Sequence, residues 1–177
     1  VGEGAGLWAV GNRVMGIVGG GGHAEYVVVH EREAIRVPHN LSWEEAASNT
    51  LTSATSYRML VSPNGAKMQQ GQIVLIWGAS GGIGSYACQY VLNGGGTPVA
   101  VVSSPHKAEL VRAMGVEHVI DRKAEGYRFW TEDGEQDQKE WLRFGKKIRS
   151  LCGTDPHIVF EHPGRDTMGA SVFVTRR

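Results

Sequence analysis

The chain has little cysteine. Cys88 and Cys152 are the two in 177 residues, and neither lies in a cluster with metal-ligand spacing. A structural zinc site is therefore not expected, and a reducing, cytoplasmic setting is the default. Net charge is also lacking, because 18 basic side chains balance 18 acidic ones. That balance argues against nucleic acid or an anionic membrane surface as a partner. No apolar run is long enough to cross a bilayer, and no signal peptide is recognisable. What is present suits a globular protein. The apolar share, 41%, allows a sizeable core, and the length fits one domain or one and a part. Glycine is plentiful, with 25 residues placed mostly at the ends of elements.

The most informative run is VLIWGASGGIG, Val74 to Gly84. It reads as a buried strand, a tight glycine turn and the start of a helix. Unpaired N–H groups at a helix N-terminus, together with the helix dipole, favour a pyrophosphate there. Glycines let the backbone approach it closely. The strict GxGxxG pattern is not met, since Ala79-Ser80-Gly81-Gly82-Ile83-Gly84 carries Ala in the first glycine position. The context that the pattern demands is nevertheless there, with an apolar strand before it and an apolar helix after it. About twenty residues on, where NAD-binding folds carry Asp or Glu for the ribose 2′-hydroxyl, this chain has Ser103 and Ser104, with Lys107 just beyond. Two hydroxyls and a cation suit a 2′-phosphate, which points to NADP(H).

Residues 1–37 read as β-rich, with strands near Val14 and over Ala24 to Val29 on either side of the glycine run Gly19 to Gly22. Ser42 with Glu45 forms a capping box, and a helix follows to Leu60 with a break expected near Asn49-Thr50. Strands at 73–77, 98–102, 117–120 and 158–160 then alternate with helices at 82–92, 105–113, 139–151 and 166–176. That alternation means βαβ units and a parallel, partial doubly wound sheet of α/β class. The polar stretch 122–139 is too long for an ordinary connection and reads as a surface excursion.

Several segments resemble the medium-chain dehydrogenase/reductase superfamily. GNRVMG, Gly11 to Gly16, resembles its barrel turn, with Asn12 where Asp is usual, and GGGGHAEYVVV resembles a barrel strand of its quinone-reductase members. From Leu41 on, LSWEEAAS, LIWGASGGIGSYA, VVSSPHKAE, IDRKAEGYRFW and IVFEHPGRDTMGASVFVTR resemble the crotonyl-CoA carboxylase/reductase branch. The resemblance implies the tail of a GroES-like β-barrel over 1–40 and a Rossmann domain over 41–177, the latter incomplete relative to a larger enzyme. It implies NADPH as cofactor, an acyl-CoA thioester as substrate and a homo-oligomer in the full-length form. Ser80, Gly81, Gly82 and Ile83 would line the pyrophosphate, and Ser103, Ser104 and Lys107 would lie at the 2′-phosphate end. Thr55 would sit near the nicotinamide, with Arg122 and Tyr127 toward the adenosine. Carboxylating members carry a Phe-Glu pair that helps to hold CO2, whereas Ile17 to Gly22 here is glycine-rich. Reduction is implied, and the CO2 step is left open.

Other residues carry two readings each. His162, at a strand end, reads equally as a cofactor contact or as a packed histidine bonded to backbone. Glu161 reads as a helix cap or ion-pair partner, and Trp77 as core. His23 reads as an exposed loop residue, and Lys146, Lys147 and Arg149 as a solvated helix face. No catalytic acid or base can be named. The functional alternatives are an NADPH-dependent enoyl-CoA reductase with or without carboxylation, a zinc-independent quinone or enone reductase, and a catalytically silent nucleotide-binding piece.

Overall fold

The run Ile73 to Trp77 alternates its side chains between two apolar layers, and this fixes the architecture of residues 55–176. The computed structural model describes residues 1–176. Val74 and Ile76 face Ala87, Cys88 and Val91 on one side, and Ile73, Leu75 and Trp77 face Phe144 and Ile148 on the other. A strand apolar on both faces needs cover on both, which is the condition of a parallel sheet flanked by helices. The parallel strands are β3 (Ile73–Ile76), β4 (Thr97–Val102), β5 (His118–Asp121) and β6 (Ile158–Phe160). Their order is β5-β4-β3-β6. Leu75 pairs with Val99 on one flank and with Val159 on the other. Helices α2 (Gly82–Asn93) and α3 (Pro105–Ala113) cover one face, while α4 (Gln138–Cys152) and α5 (Arg165–Val174) cover the other. This is the expected partial Rossmann-type sheet, and its strands agree with the predicted ones to within a residue or two.

The chain divides into two compact units, Val1–Ala54 and Thr55–Arg177, and the division falls inside α1 (Trp43–Leu60). The first unit is less regular than the sequence suggests. Its strands, β1 (Val14–Met15) and β2 (Ile35–Arg36), form one short antiparallel pair. The strand expected over Ala24 to Val29 does not form, and Tyr26 and Val28 are 90% and 99% exposed. β-propensity alone cannot order a strand; a ladder partner and an apolar face are needed, and this segment has neither. The expected barrel tail is therefore reduced to one ladder. Other local contacts hold the unit. The Glu31 carboxylate accepts from the amides of Gly6 and Leu7 at 2.8 and 2.9 Å, which holds it below the usual carboxylate range. The capping box at the start of α1 is reciprocal: Ser42 N–H donates to Glu45 Oε2 at 2.8 Å, and Glu45 N–H to Ser42 Oγ at 3.1 Å. The helix then runs unbroken through Asn49-Thr50, with the Thr50 hydroxyl donating to the Ala46 carbonyl.

A second difference concerns residues 122–139. The segment is polar at its ends, yet Tyr127 and Phe129 are buried with Trp77 and Phe144 on the α4/α5 face of the sheet. Ring centroids lie 5.2 Å apart for Trp77 and Phe144 and 5.7 Å apart for Trp77 and Phe129. Pairs of this kind contribute about 0.5–1.5 kcal/mol beyond their burial. The excursion is therefore anchored in the core by two large aromatic side chains, while most of it, residues 131–136 included, lies on the surface as expected. The Arg143 guanidinium lies 3.9 Å from the centre of the Tyr127 ring and pairs with Glu140 at 2.6 Å.

Two predictions follow from packing. A Cβ on Gly84 would fall on the carbonyl oxygen of Gly78 and 2.8 Å from Ala79 Cα, both backbone. Gly84→Ala should therefore lower stability by about 1–3 kcal/mol in chemical unfolding, against the gain that alanine usually gives in a helix. The Tyr127 hydroxyl is pushed up to about 12, first by burial and then by the Glu125 carboxylate. The fold favours its protonated form, so that contribution is whole below pH 10 and is lost as pH rises toward 12. Unfolding midpoints across that range should fall more for the wild type than for Tyr127→Phe.

Candidate functional site

Outside the carboxyl ends of β3 and β6 the strand order reverses, since β4 lies on one side of β3 and β6 on the other. Such a reversal opens a crevice at the sheet edge. The chain leaves β3 through Trp77 and turns at Gly78, where φ is +54°, a conformation that glycine adopts at little cost. Gly81, the N-cap of α2, donates its N–H to the Gly78 carbonyl at 2.9 Å, and helix α2 starts at Gly82. A Cβ on Gly81 would stand 3.2 Å from that same carbonyl oxygen, so the turn is built to glycine dimensions. The amides of Gly82, Ile83 and Gly84 are first-turn donors with no acceptor inside the helix. No acidic residue stands in that turn. Here the helix dipole and the donors are both available to a pyrophosphate.

Beside the turn is a cavity of about 160 Å³, lined in part by Gly78, Ser80, Ser103, Lys107 and Arg122. It is small against the roughly 300–1,000 Å³ of ordinary ligand sites and has room for one end of a dinucleotide. Lys107 Nζ lies 3.4 Å from Ser103 Oγ, and the Arg122 side chain joins the same wall. The Ser103 hydroxyl and Lys107 beyond β4, with Arg122 directly after β5, suit a phosphorylated ribose. Asp166 and Thr167, in the first turn of α5, and Pro163 complete the cavity on the β6 side. Asp166 partly offsets the two cations. The donors and the glycine turn fit a phosphorylated dinucleotide.

The structure thus brings Ser80, Ser103, Lys107 and Arg122 to one cavity and puts Gly81, Gly82 and Ile83 at the helix start beside it. Ser104 is the N-cap of α3, its hydroxyl accepting from the Lys107 amide at 3.4 Å. Thr55 lies on α1, next to Ser56, whose buried hydroxyl donates to the Ile83 carbonyl at 2.7 Å and so ties that helix to the first turn of α2. Tyr127 does not line the cavity; it lies in the aromatic cluster of the core. His162 Nε2 is 2.9 Å from the Trp77 carbonyl, the packed arrangement bonded to backbone, although the ring stays exposed. Glu161 caps α5, its carboxylate accepting from Gly164 N–H and from the Thr167 hydroxyl at 2.9 Å. Sequence reasoning missed Asp166, Thr167 and Pro163. Their signal was positional: the loop and helix start after β6 must border the crevice once β6 lies beside β3.

Among the described residues, no three His, Cys, Asp or Glu side chains gather into a group that could hold a metal, and no helix is long and apolar enough to cross a membrane.

A family model described as zinc-binding dehydrogenase matches residues 82–177. Crotonyl-CoA reductase of Streptomyces collinus is 60% identical over 158 residues, covering 89% of this chain and 35% of that protein. Crotonyl-CoA carboxylase/reductase of Cereibacter sphaeroides is 37% identical over 166 residues, covering 89% and 38%. Among solved structures, the 2-octenoyl-CoA carboxylase reductase CinF of Streptomyces sp., in complex with NADP and 2-octenoyl-CoA, aligns with a TM-score of 0.77 at 49% identity. That alignment covers 84% of this chain and 34% of CinF. The chain spans about a third of the length of the curated relatives it matches. On sequence and fold together, the chain belongs to the zinc-binding dehydrogenase family, in the crotonyl-CoA carboxylase/reductase branch of the medium-chain dehydrogenase/reductase superfamily.

Proposed function

We propose that this chain is the NADPH-holding part of an enoyl-CoA reductase. The observation that carries the reading is the Lys107–Ser103 pair, 3.4 Å apart, in a cavity that opens beside the glycine turn. The α2 N-terminus binds the pyrophosphate through its free amides, and Gly81 and Gly84, having no Cβ, let α2 start close against the Gly78 carbonyl. Ser103, Lys107 and Arg122 hold the 2′-phosphate and select NADPH over NADH. When bound, NADPH supplies a hydride for the β-carbon of an α,β-unsaturated acyl-CoA. The protein's contribution at this end is orientation, which fixes the position of the nicotinamide relative to the thioester. The acyl-CoA class is supported by the relatives, whose names specify crotonyl-CoA and 2-octenoyl-CoA. Carboxylation during reduction is supported by the same kind of evidence, since two of those names include a carboxylase.

Titration by nucleotide fluorescence tests the cofactor. The chain should bind NADPH, and Lys107→Ala should weaken NADPH by roughly tenfold or more while leaving NADH little changed, as expected for loss of one hydrogen bond to a charged group. Equal losses for both nucleotides would contradict the 2′-phosphate role. NADPH oxidation assays identify the substrate. Oxidation that requires crotonyl-CoA supports the reading, and bicarbonate-dependent carboxylated product adds the CO2 step. Oxidation with quinones and not with crotonyl-CoA would place the chain with the quinone reductases. Binding without any turnover would leave it a nucleotide-holding piece.

A further inference from the structure

We propose that Glu161 is a positioning residue for the glycine turn, acting through Ser171 on the indole of Trp77. The inference extends the nucleotide reading above, and its first measurement does not depend on that reading. Three donors converge on the Glu161 carboxylate: the Gly164 amide at 2.9 Å, the Thr167 hydroxyl at 2.9 Å and the Ser171 hydroxyl at 2.5 Å. Ser171 has one hydroxyl proton and donates it to Glu161, so its oxygen is free to accept from Trp77 Nε1–H, 2.8 Å away. Thr167, Ser171 and Trp77 are 4%, 3% and 1% exposed, so each of these polar groups depends on its protein partner. An unmet partner at such depth is costly.

Capping α5 does not explain the whole arrangement. The cap needs only the Gly164 amide and Thr167. Ser171 lies a helical turn beyond Thr167, and its bond to Trp77 serves no α5 backbone group. What that bond does is hold the last buried residue before the turn. Trp77 is held from the β6–α5 segment at three points. Its amide donates to the Phe160 carbonyl at 3.2 Å, its carbonyl contacts His162 Nε2 at 2.9 Å, and its indole donates to Ser171. The next residue, Gly78, adopts its positive φ with the His162 ring 3.0 Å from where a Cβ would stand. The Gly78 carbonyl in turn accepts the Gly81 amide that starts α2. Rotation of Trp77 would therefore move the carbonyl against which α2 is seated. Thr167, bonded to the same carboxylate, also lines the cavity. Glu161 thus fixes both walls of the crevice, the glycine turn and the α5 start, from a single carboxylate.

Amide hydrogen exchange on the ligand-free chain tests this. Ser171→Ala and Trp77→Phe each remove the relay and leave the α5 cap intact. Both should raise exchange of the hydrogen-bonded turn amides, Ala79, Gly81 and Ser85, by about five- to tenfold, the effect of one lost hydrogen bond on local opening, while the Thr167 and Met168 amides keep their protection. Glu161→Ala should loosen both segments, and Glu161→Gln should restore part of the cap. NADPH affinity should fall severalfold in Ser171→Ala and Trp77→Phe. Unchanged exchange at Ala79, Gly81 and Ser85 in both variants would overturn the proposal. So would loosened exchange with undiminished NADPH affinity. If the wild-type chain binds no NADPH, the nucleotide reading falls and the exchange pattern alone decides the relay.

Discussion

The backbone turns at Gly78 so tightly that its carbonyl oxygen occupies the place where a side chain on Gly84 would begin. That contact seats α2 on the end of β3 at a distance no other residue type allows. The first-turn amides of α2 face the crevice because the helix starts there. The Lys107–Ser103 pair lies beside those amides because β4 pairs with β3 in register and ends at the same sheet edge. Moving the turn would separate the first-turn amides of α2 from Lys107, beyond β4, and Arg122, beyond β5. In the proposed reading, nucleotide recognition would follow from strand–helix packing, and the charged side chains would add selectivity to a site that the backbone defines.

The packing that holds this arrangement is unequal on the two faces of the sheet. The α2/α3 face is filled by small and branched residues such as Ala87, Val91, Ala100 and Val111. The α4/α5 face is filled by Trp77, Tyr127, Phe129 and Phe144. Trp77 stands at the junction of the aromatic layer and the glycine turn. Its ring belongs to the core, its amide to the Phe160 carbonyl of β6, its carbonyl to the contact with His162, and its indole N–H to a buried hydroxyl. Core stability and site geometry are coupled at that one side chain.

The β3–turn–α2 unit was legible in the sequence because an apolar run fully buried on both faces and a glycine-rich helix start are local signals. Ser42 with Glu45 as a capping box was legible for the same reason, whereas Ser104, read only at the 2′-phosphate end, is also the N-cap of α3. The Tyr127–Phe129 segment was not, because its polar flanks dominate a window average while two rings decide its burial. The segment Ala24 to Val29 reads as a strand from its side chains, but strand formation depends on a partner that propensity does not supply. Glu161 was legible as a cap, being three residues before Gly164. Its link to Trp77 was not, because it spans 94 residues between Trp77 and Ser171 and exists only once β6 lies beside β3.

The central claim is that one end of the crevice holds a 2′-phosphate while the helix start holds a pyrophosphate. Phosphorus NMR of NADP⁺ titrated with the chain reports the two groups separately. The account predicts that both the 2′-phosphate and the pyrophosphate resonances shift or broaden on binding, and that Lys107→Ala suppresses the change at the 2′-phosphate alone. A spectrum in which the pyrophosphate responds and the 2′-phosphate does not, or in which neither responds, would contradict it.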